Sequence, residues 1–68
     1  MNHIYKSIEI TGTSSTSIEE AIQSAIQRAS QTVNNLQWFE VVEIRGRIAA
    51  GRVDQWQITL KIGFTLED

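Results

Sequence analysis

A long alternation of apolar and polar residues near the end of the chain most limits what it can fold into. From Val53 to Leu66, the apolar side chains lie on one side of an extended strand: Trp56, Ile58, Leu60, Ile62, Phe64 and Leu66. The other side carries Gln55, Gln57, Thr59, Lys61, Gly63 and Thr65. Period two over this length predicts a strand of roughly 45 Å, at ~3.3 Å per residue.

Two further strands and one helix are predicted before it. Ile4 to Thr11 alternates in the same way and predicts strand one. Gly12 to Thr16 has turn composition, and Ser17 with Glu20 forms a capping box that begins a helix. The helix has apolar positions in steps of three and four: Ile18, Ala21, Ile22, Ala25, Ile26, Ala29, Val33 and Leu36. Trp38 to Ile48 predicts strand two.

The element order β-α-β-β predicts an α+β fold with a three-stranded antiparallel sheet. Asn34-Asn35 is expected to stop the helix, and Ala49 to Gly51 to form the last turn with Gly51 at positive φ. Placing strand three in the middle, in the order 1-3-2, makes every pairing antiparallel, with a right-handed crossover. The predicted strands are longer than the predicted helix of about 19 residues. Trp56 and Phe64–Leu66 would then be partly exposed, which favours a homo-oligomer.

Composition excludes several classes of function. The 68 residues predict one domain, 1–68, with no Cys and one His, so thiolate chemistry and a dedicated zinc site are not expected. A net charge of −2 argues against nucleic acid as the main partner. No apolar run approaches the ~20 residues of a membrane span, and Met1 to Lys6 does not resemble a secretory signal. A soluble, cytoplasmic protein is expected.

No catalytic motif is visible in the sequence. Gly12 to Ser15 could hold an anion at the helix N-terminus, but a capped turn is the more common meaning of such a segment. His3 could contact a phosphate or a ring, although a lone terminal His is usually solvated. Glu40 and Glu43 are three apart on a strand, so they are expected on opposite faces, as solvated or salt-bridged carboxylates.

Trp38 is the strongest candidate for a binding residue. Its indole offers a large stacking face, and the amide of Gln57 suits the edge of a planar heterocycle such as an isoalloxazine or a uracil-like ring. Arg45 and Arg47 would add positive charge for ring carbonyls or a phosphate. Tryptophan is also enriched at subunit interfaces, so the residues alone leave a ligand site and an interface both open.

Three segments resemble the dodecin family over nearly the whole chain. They read YKSIEITGTS at Tyr5–Ser14, WFEVVEIRG at Trp38–Gly46 and WQITLKIGFTLE at Trp56–Glu67. Dodecins are small flavin-binding proteins that assemble as hollow homo-dodecamers with paired flavins stacked between tryptophans. The resemblance implies this assembly for the chain, in which the sheet wraps around the single helix.

The resemblance also implies ligands and the residues that bind them. Trp38 would stack on FMN or riboflavin, Gln57 would bind the pyrimidine end of the ring, and Arg45 would lie nearby. Several bacterial members also hold coenzyme A. The phosphate and coenzyme A candidates implied here are His3, Tyr5, Lys6, Arg28, Thr32, Arg47 and Thr65.

Two positions depart from the pattern of bacterial dodecins. Gln37 stands where Asp often precedes the stacking tryptophan, and can still bond ribityl hydroxyls without charge. Thr65 stands where many members have Arg, which removes a cation from the expected coenzyme A region. The leading function is non-enzymatic flavin storage; the alternatives are a flavin-dependent redox enzyme and a ligand-free structural oligomer.

Overall fold

The computed structural model describes residues 3–66 and contains three strands and one helix. These are β1 (Tyr5–Ser14), α1 (Ile18–Ser30), β2 (Leu36–Ala49) and β3 (Arg52–Thr65). The strands form one sheet in the order β1-β3-β2, and both pairings are antiparallel. The predicted β-α-β-β order and sheet are confirmed. Met1, Asn2, Glu67 and Asp68, including the end of the third matched segment, lie outside the described residues.

The core lies between α1 and one face of the sheet. Its buried members are Ala21, Ala25, Ala29, Ile58, Leu60 and Ile62. The helix approaches β1 closely because both elements carry small residues at the contact. A Cβ added at Gly12 would overlap the carbonyl oxygen of Ala21 and lie 2.8 Å from Ala25 Cβ. Gly12 was expected in a turn, but it pairs with Ile58 inside β1, so that expectation is wrong. Its role is close packing of helix on strand.

The helix begins as predicted and ends earlier. Ser17 Oγ accepts a hydrogen bond from the Glu20 N–H at 3.0 Å, which is half of the capping box. The N–H of Ser17 donates instead to Ser14 Oγ at 3.3 Å. The helix ends at Ser30, so Val33 follows it and Leu36 opens β2. Within residues 3–66, no helix is long and apolar enough to cross a membrane.

The β2–β3 hairpin projects beyond the helix. Ala50 and Gly51 both have positive φ, 53° and 73°, as a two-residue turn between right-twisted strands requires. The molecule is 53 Å long, whereas the 13 residues of α1 span only about 20 Å. The large exposed apolar side chains of the hairpin are Trp38, Phe39, Val41, Val42, Ile44, Ile48 and Val53. This surface exceeds what one helix can cover, which fits the expectation of an oligomer.

Irregularities in β2 change which side chains share a face. The register shifts between Leu36 and Trp38 and again between Val41 and Glu43. Glu40 pairs with Lys61 before the second shift, and Glu43 pairs with Thr59 after it. Lys61 and Thr59 are two apart on β3, so both glutamates lie on the same face. The prediction of opposite faces is wrong because a bulge adds one residue to β2.

Candidate functional site

The sheet face away from α1, called the open face below, carries the candidate binding residues. On β3 it displays the polar series already identified: Gln55, Gln57, Thr59, Lys61, Gly63 and Thr65. Cross-strand partners project to the same side of a sheet, so the register assigns the neighbouring side chains to this face. Trp38, opposite Gly63, and Arg45, opposite Gln57, therefore lie on it.

Trp38 lies directly over the backbone of β3. A Cβ added at Gly63 would overlap three indole atoms, Cε2, Cζ2 and Nε1. Gly63 is buried, and Trp38, whose indole lies above it, remains 41% exposed. The missing side chain of Gly63 thus creates the space in which the indole rests, with part of the indole surface left free for a planar partner.

Two further rings lie beside the indole. Tyr5 meets Trp38 in an edge contact, with ring centroids 6.4 Å apart and planes at 64°. His3 is tilted against Tyr5 at a centroid distance of 6.5 Å. The edge contact supports the indole from the β1 side, a favourable aromatic geometry worth about 1 kcal/mol.

A second polar group occupies the open face toward the hairpin. Gln57 lies opposite Arg45, and its Nε2 donates a hydrogen bond to Gln55 Oε1 at 2.9 Å. Both glutamines are half-buried. Arg45 approaches Glu43 at 4.0 Å, and both side chains are well exposed, so Arg45 is held weakly.

Arg47 is held more firmly than Arg45. Its Nε and one terminal nitrogen donate to the same oxygen of Asp54, at 3.0 and 2.6 Å. The pair lies near the hairpin turn, where the register shifts after Arg47. Arg45 is therefore the guanidinium more available to a ligand.

The indole and the glutamine amide of one chain are far apart. Trp38 pairs with Gly63 and Arg45 pairs with Gln57, six residues away on β3. Six residues of extended strand cover about 20 Å. Trp38 and Gln57 were predicted to belong to one site, but within a single chain the structure does not bring them together. A site that uses both must take them from two copies.

The phosphate and coenzyme A candidates lie in four separate places. Tyr5 and Thr65 are cross-strand partners on the open face, with His3 beside Tyr5. Arg28 and Thr32 line a cavity of about 470 Å³ between α1 and β1. The remaining two candidates, Lys6 and Arg47, lie opposite Phe64 and Gln55 respectively.

This distribution excludes one shared phosphate site in a single chain. Gln55, opposite Arg47, is ten residues from Thr65 along β3, which is about 33 Å of strand. Gln37 is the extra residue in the irregularity before Trp38, and it lines a small cavity of about 130 Å³ with Leu36. It is thus adjacent to Trp38 in space as well as in sequence.

The arrangement suits recognition of a planar ring. An exposed indole provides stacking, two amides provide hydrogen bonds, and Arg45 adds a cation. Among residues 3–66, no three His, Asp or Glu side chains come close enough to hold a metal ion. The fold and this face define a small α+β protein with an aromatic stacking surface exposed on an unpaired sheet face.

Comparison with known proteins identifies the family. The family model described as Dodecin matches residues 4–67. The dodecin of Thermus thermophilus is 47% identical over 68 residues, covering 100% of this chain and 99% of that protein. This chain belongs to the dodecin family.

Solved structures agree with the assignment. The dodecin from Streptomyces davaonensis superposes with a TM-score of 0.92 at 48% identity, covering 100% of both chains. The calcium dodecin of Mycobacterium tuberculosis, described as having a novel calcium-binding site, gives 0.80 at 33% identity over 94% of this chain and 91% of that one. The resemblance inferred from the three segments is confirmed.

Two residues of the open face, Gly63 and Gln55, were not predicted as part of the site. Gly63 was recognised only as a member of the polar side of β3, although a glycine within a strand often marks a close approach. Gln55, two residues before Gln57, was on the same side and was given no role. Two amides at this spacing on one strand face are close enough to bond, which the alternation alone could have indicated.

Proposed function

We propose that this chain is a flavin-binding protein that stores FMN or riboflavin without turning it over. Its sites form in a hollow homo-dodecamer in the cytoplasm, where two isoalloxazines stack between two Trp38 side chains at a two-fold axis. Gln57 binds the pyrimidine edge of the ring, and Arg45 supplies positive charge beside it.

The observation that carries this proposal is the indole seated over Gly63. Trp38 is both positioned by the strand backbone and partly exposed, which is unusual for a tryptophan that serves only as core. A planar ring placed on its free surface would bury additional apolar area on both partners. Stacking geometry of this kind favours aromatic ligands over aliphatic ones.

The distance between Trp38 and Gln57 makes an oligomer part of the function. At about 20 Å along the strand, one isoalloxazine cannot touch both residues of the same chain. A two-fold axis places the same patch of each copy against the other, so it supplies two indoles and two amides at once. The exposed apolar hairpin provides surface for these contacts.

Storage is favoured over catalysis by the arrangement of the open face. A redox enzyme needs one free flavin face and an acid or base beside it. The carboxylates near the amides each lie beside an arginine: Glu43 is close to Arg45, and Asp54 binds Arg47. A neighbouring cation favours the charged carboxylate, which makes both poor candidates for a catalytic acid or base. When flavin is bound, an indole in van der Waals contact can donate an electron to the excited ring and take it back. Such contact would quench emission and limit photochemistry.

The test is a titration of FMN with purified protein while flavin emission is recorded. Micromolar wild-type protein is expected to quench the emission, and Trp38→Ala is expected to abolish most of the binding. Asp54→Asn, near the hairpin turn and outside the proposed flavin contacts, serves as the matched control and should quench normally. Unchanged emission with wild-type protein would refute flavin storage and favour a ligand-free oligomer.

Coenzyme A is a second proposed ligand, in a separate place. Arg28 and Thr32 border the cavity between α1 and β1, whereas Thr65 offers no cation. Binding is therefore expected to be weak and to depend on Arg28. Calorimetry with coenzyme A should show a signal that Arg28→Gln removes while riboflavin binding stays unchanged. A heat signal unaltered by Arg28→Gln would place coenzyme A elsewhere.

A further inference from the structure

Gln55 and Gln57 of β3 form a hydrogen-bonded pair, and the direction of this bond determines which atoms of the Gln57 amide are left available to a ligand. Gln57 Nε2 donates to Gln55 Oε1 at 2.9 Å, and both side chains are half-buried on the open face. A glutamine amide has one acceptor oxygen and two N–H donors. The bond to Gln55 therefore uses one donor of Gln57 and leaves its oxygen and its second N–H available.

The surroundings favour this orientation of the pair. Gln55 lies opposite Arg47 in the sheet register, and this guanidinium could compete with Gln57 for the oxygen of Gln55. Two nitrogens of Arg47 are engaged by Asp54, and the oxygen of Gln55 accepts from Gln57. Arg45, opposite Gln57, is a cation with donors only. On this part of the face, the free amide acceptor is Gln57 Oε1.

An acceptor among donors is complementary to an imide. The pyrimidine end of an isoalloxazine has one ring N–H, at N3, between two carbonyl oxygens. Gln57 Oε1 can accept from N3–H, while the second N–H of Gln57 and the guanidinium of Arg45 can donate to the carbonyls. A Gln57 amide turned over would place a donor against N3–H and lose this match.

We propose that Gln55 is a positioning residue that fixes the Gln57 amide and thereby sets selectivity for rings with a free imide N–H. The inference rests on the proposed flavin-binding function and adds the chemical group of the ligand that the site recognises, an imide N–H. Gln55 acts as a hydrogen-bond acceptor. Without it, the amide of Gln57 must be ordered when the ligand binds, and this cost weakens binding.

The acceptor role gives matched variants at one position. Gln55→Glu keeps an acceptor of the same length, whereas Gln55→Met keeps the length and removes the amide oxygen. Riboflavin is the probe because it carries no phosphate. Gln55→Met should weaken riboflavin binding about 3- to 10-fold, the cost of ordering one long side chain. Gln55→Glu should stay within about twofold of wild type because Nε2 of Gln57 keeps its acceptor.

A second probe, N3-methylriboflavin, separates positioning from a general structural effect. It has no imide N–H, so Gln57 Oε1 has nothing to accept, and the orientation of the Gln57 amide contributes only through its N–H to a carbonyl. Gln55→Met should therefore lower the affinity for this probe clearly less than it lowers the affinity for riboflavin. Gln55→Ala, which also removes the acceptor, should repeat the result of Gln55→Met with both probes.

The possible results separate this inference from the proposed function. If Gln55→Glu loses as much affinity as Gln55→Met, Gln55 contacts the ligand through its own N–H groups, and the positioning role is wrong. Riboflavin affinity unchanged in Gln55→Met and Gln55→Ala would also overturn it. Equal losses for riboflavin and N3-methylriboflavin would indicate a structural effect instead. Absence of riboflavin binding by wild type refutes the proposed function itself.

Discussion

Replacing Gly63 by alanine tests the position of the stacking indole without removing it. The added Cβ would overlap Cε2, Cζ2 and Nε1 of Trp38, so the ring cannot keep its place over β3. Gly63 lies on the central strand of the sheet, and its backbone is held on both sides by β1 and β2. The indole is partly exposed, so the side chain moves and the strand does not.

Gly63→Ala should affect flavin binding more than stability, because the free protein can relieve the overlap by moving the indole. Inserting one methyl into a packed contact costs about 1–3 kcal/mol. In the free protein the indole can turn toward solvent, and alanine gains about 0.5–1 kcal/mol over glycine in a strand. The free energy of unfolding should therefore change by less than about 1 kcal/mol. Binding requires the indole in place, so the flavin dissociation constant should rise about 5- to 150-fold.

Two measurements separate these effects. Quenching of riboflavin emission gives the dissociation constant, and urea unfolding at fixed protein concentration gives the stability. Gly51→Ala is the matched control: nothing lies within 4 Å of its added Cβ, but φ is 73°. It should lower stability by about 1 kcal/mol and leave quenching intact. Wild-type affinity in Gly63→Ala would show that the indole over Gly63 is not the stacking geometry.

Four further substitutions test other contacts. Arg45→Gln should weaken FMN binding by about 1 kcal/mol, roughly fivefold, through loss of a charge-assisted bond, whereas Arg47→Gln should leave titrations unchanged because Asp54 holds that side chain; equal losses in both would contradict the assignment. Ser17→Ala should lower the free energy of unfolding by about 0.5–2 kcal/mol in urea titrations, through loss of the helix cap; no change would show the cap to be unimportant. Gly12→Ala should lower it by about 1–3 kcal/mol by pushing α1 off β1, and a stabilised variant would contradict that contact.

The sheet and the helix start could be predicted from the sequence because their signals are local. Alternation in β3 identified which side faces the core, and Ile58, Leu60 and Ile62 are buried there. Ser17 marked the start of α1. The end of the helix was misjudged because Leu36 keeps the apolar step of the stripe while belonging to β2.

The irregular parts of β2 could not be predicted from period two. An extra residue near Val42 places Glu40 and Glu43 on one face, and the sequence carries no Gly or Pro there to signal it. The distance between Trp38 and Gln57 was also hidden, because it depends on the register of two strands against β3. Residue types predict a planar aromatic ligand, and the register shows that Trp38 and Gln57 of one chain lie too far apart to contact one ring together.

A mixing experiment tests the shared site most directly. Trp38→Ala and Gln57→Ala chains are unfolded, mixed in equal amounts and refolded together, and riboflavin quenching is measured at a concentration where neither variant binds alone. If each site takes its indole and its amide from different copies, random assembly restores both residues in about a quarter of the sites. The account predicts recovery of about that fraction of wild-type quenching in the mixture. Quenching that remains at the level of the separate variants would contradict it.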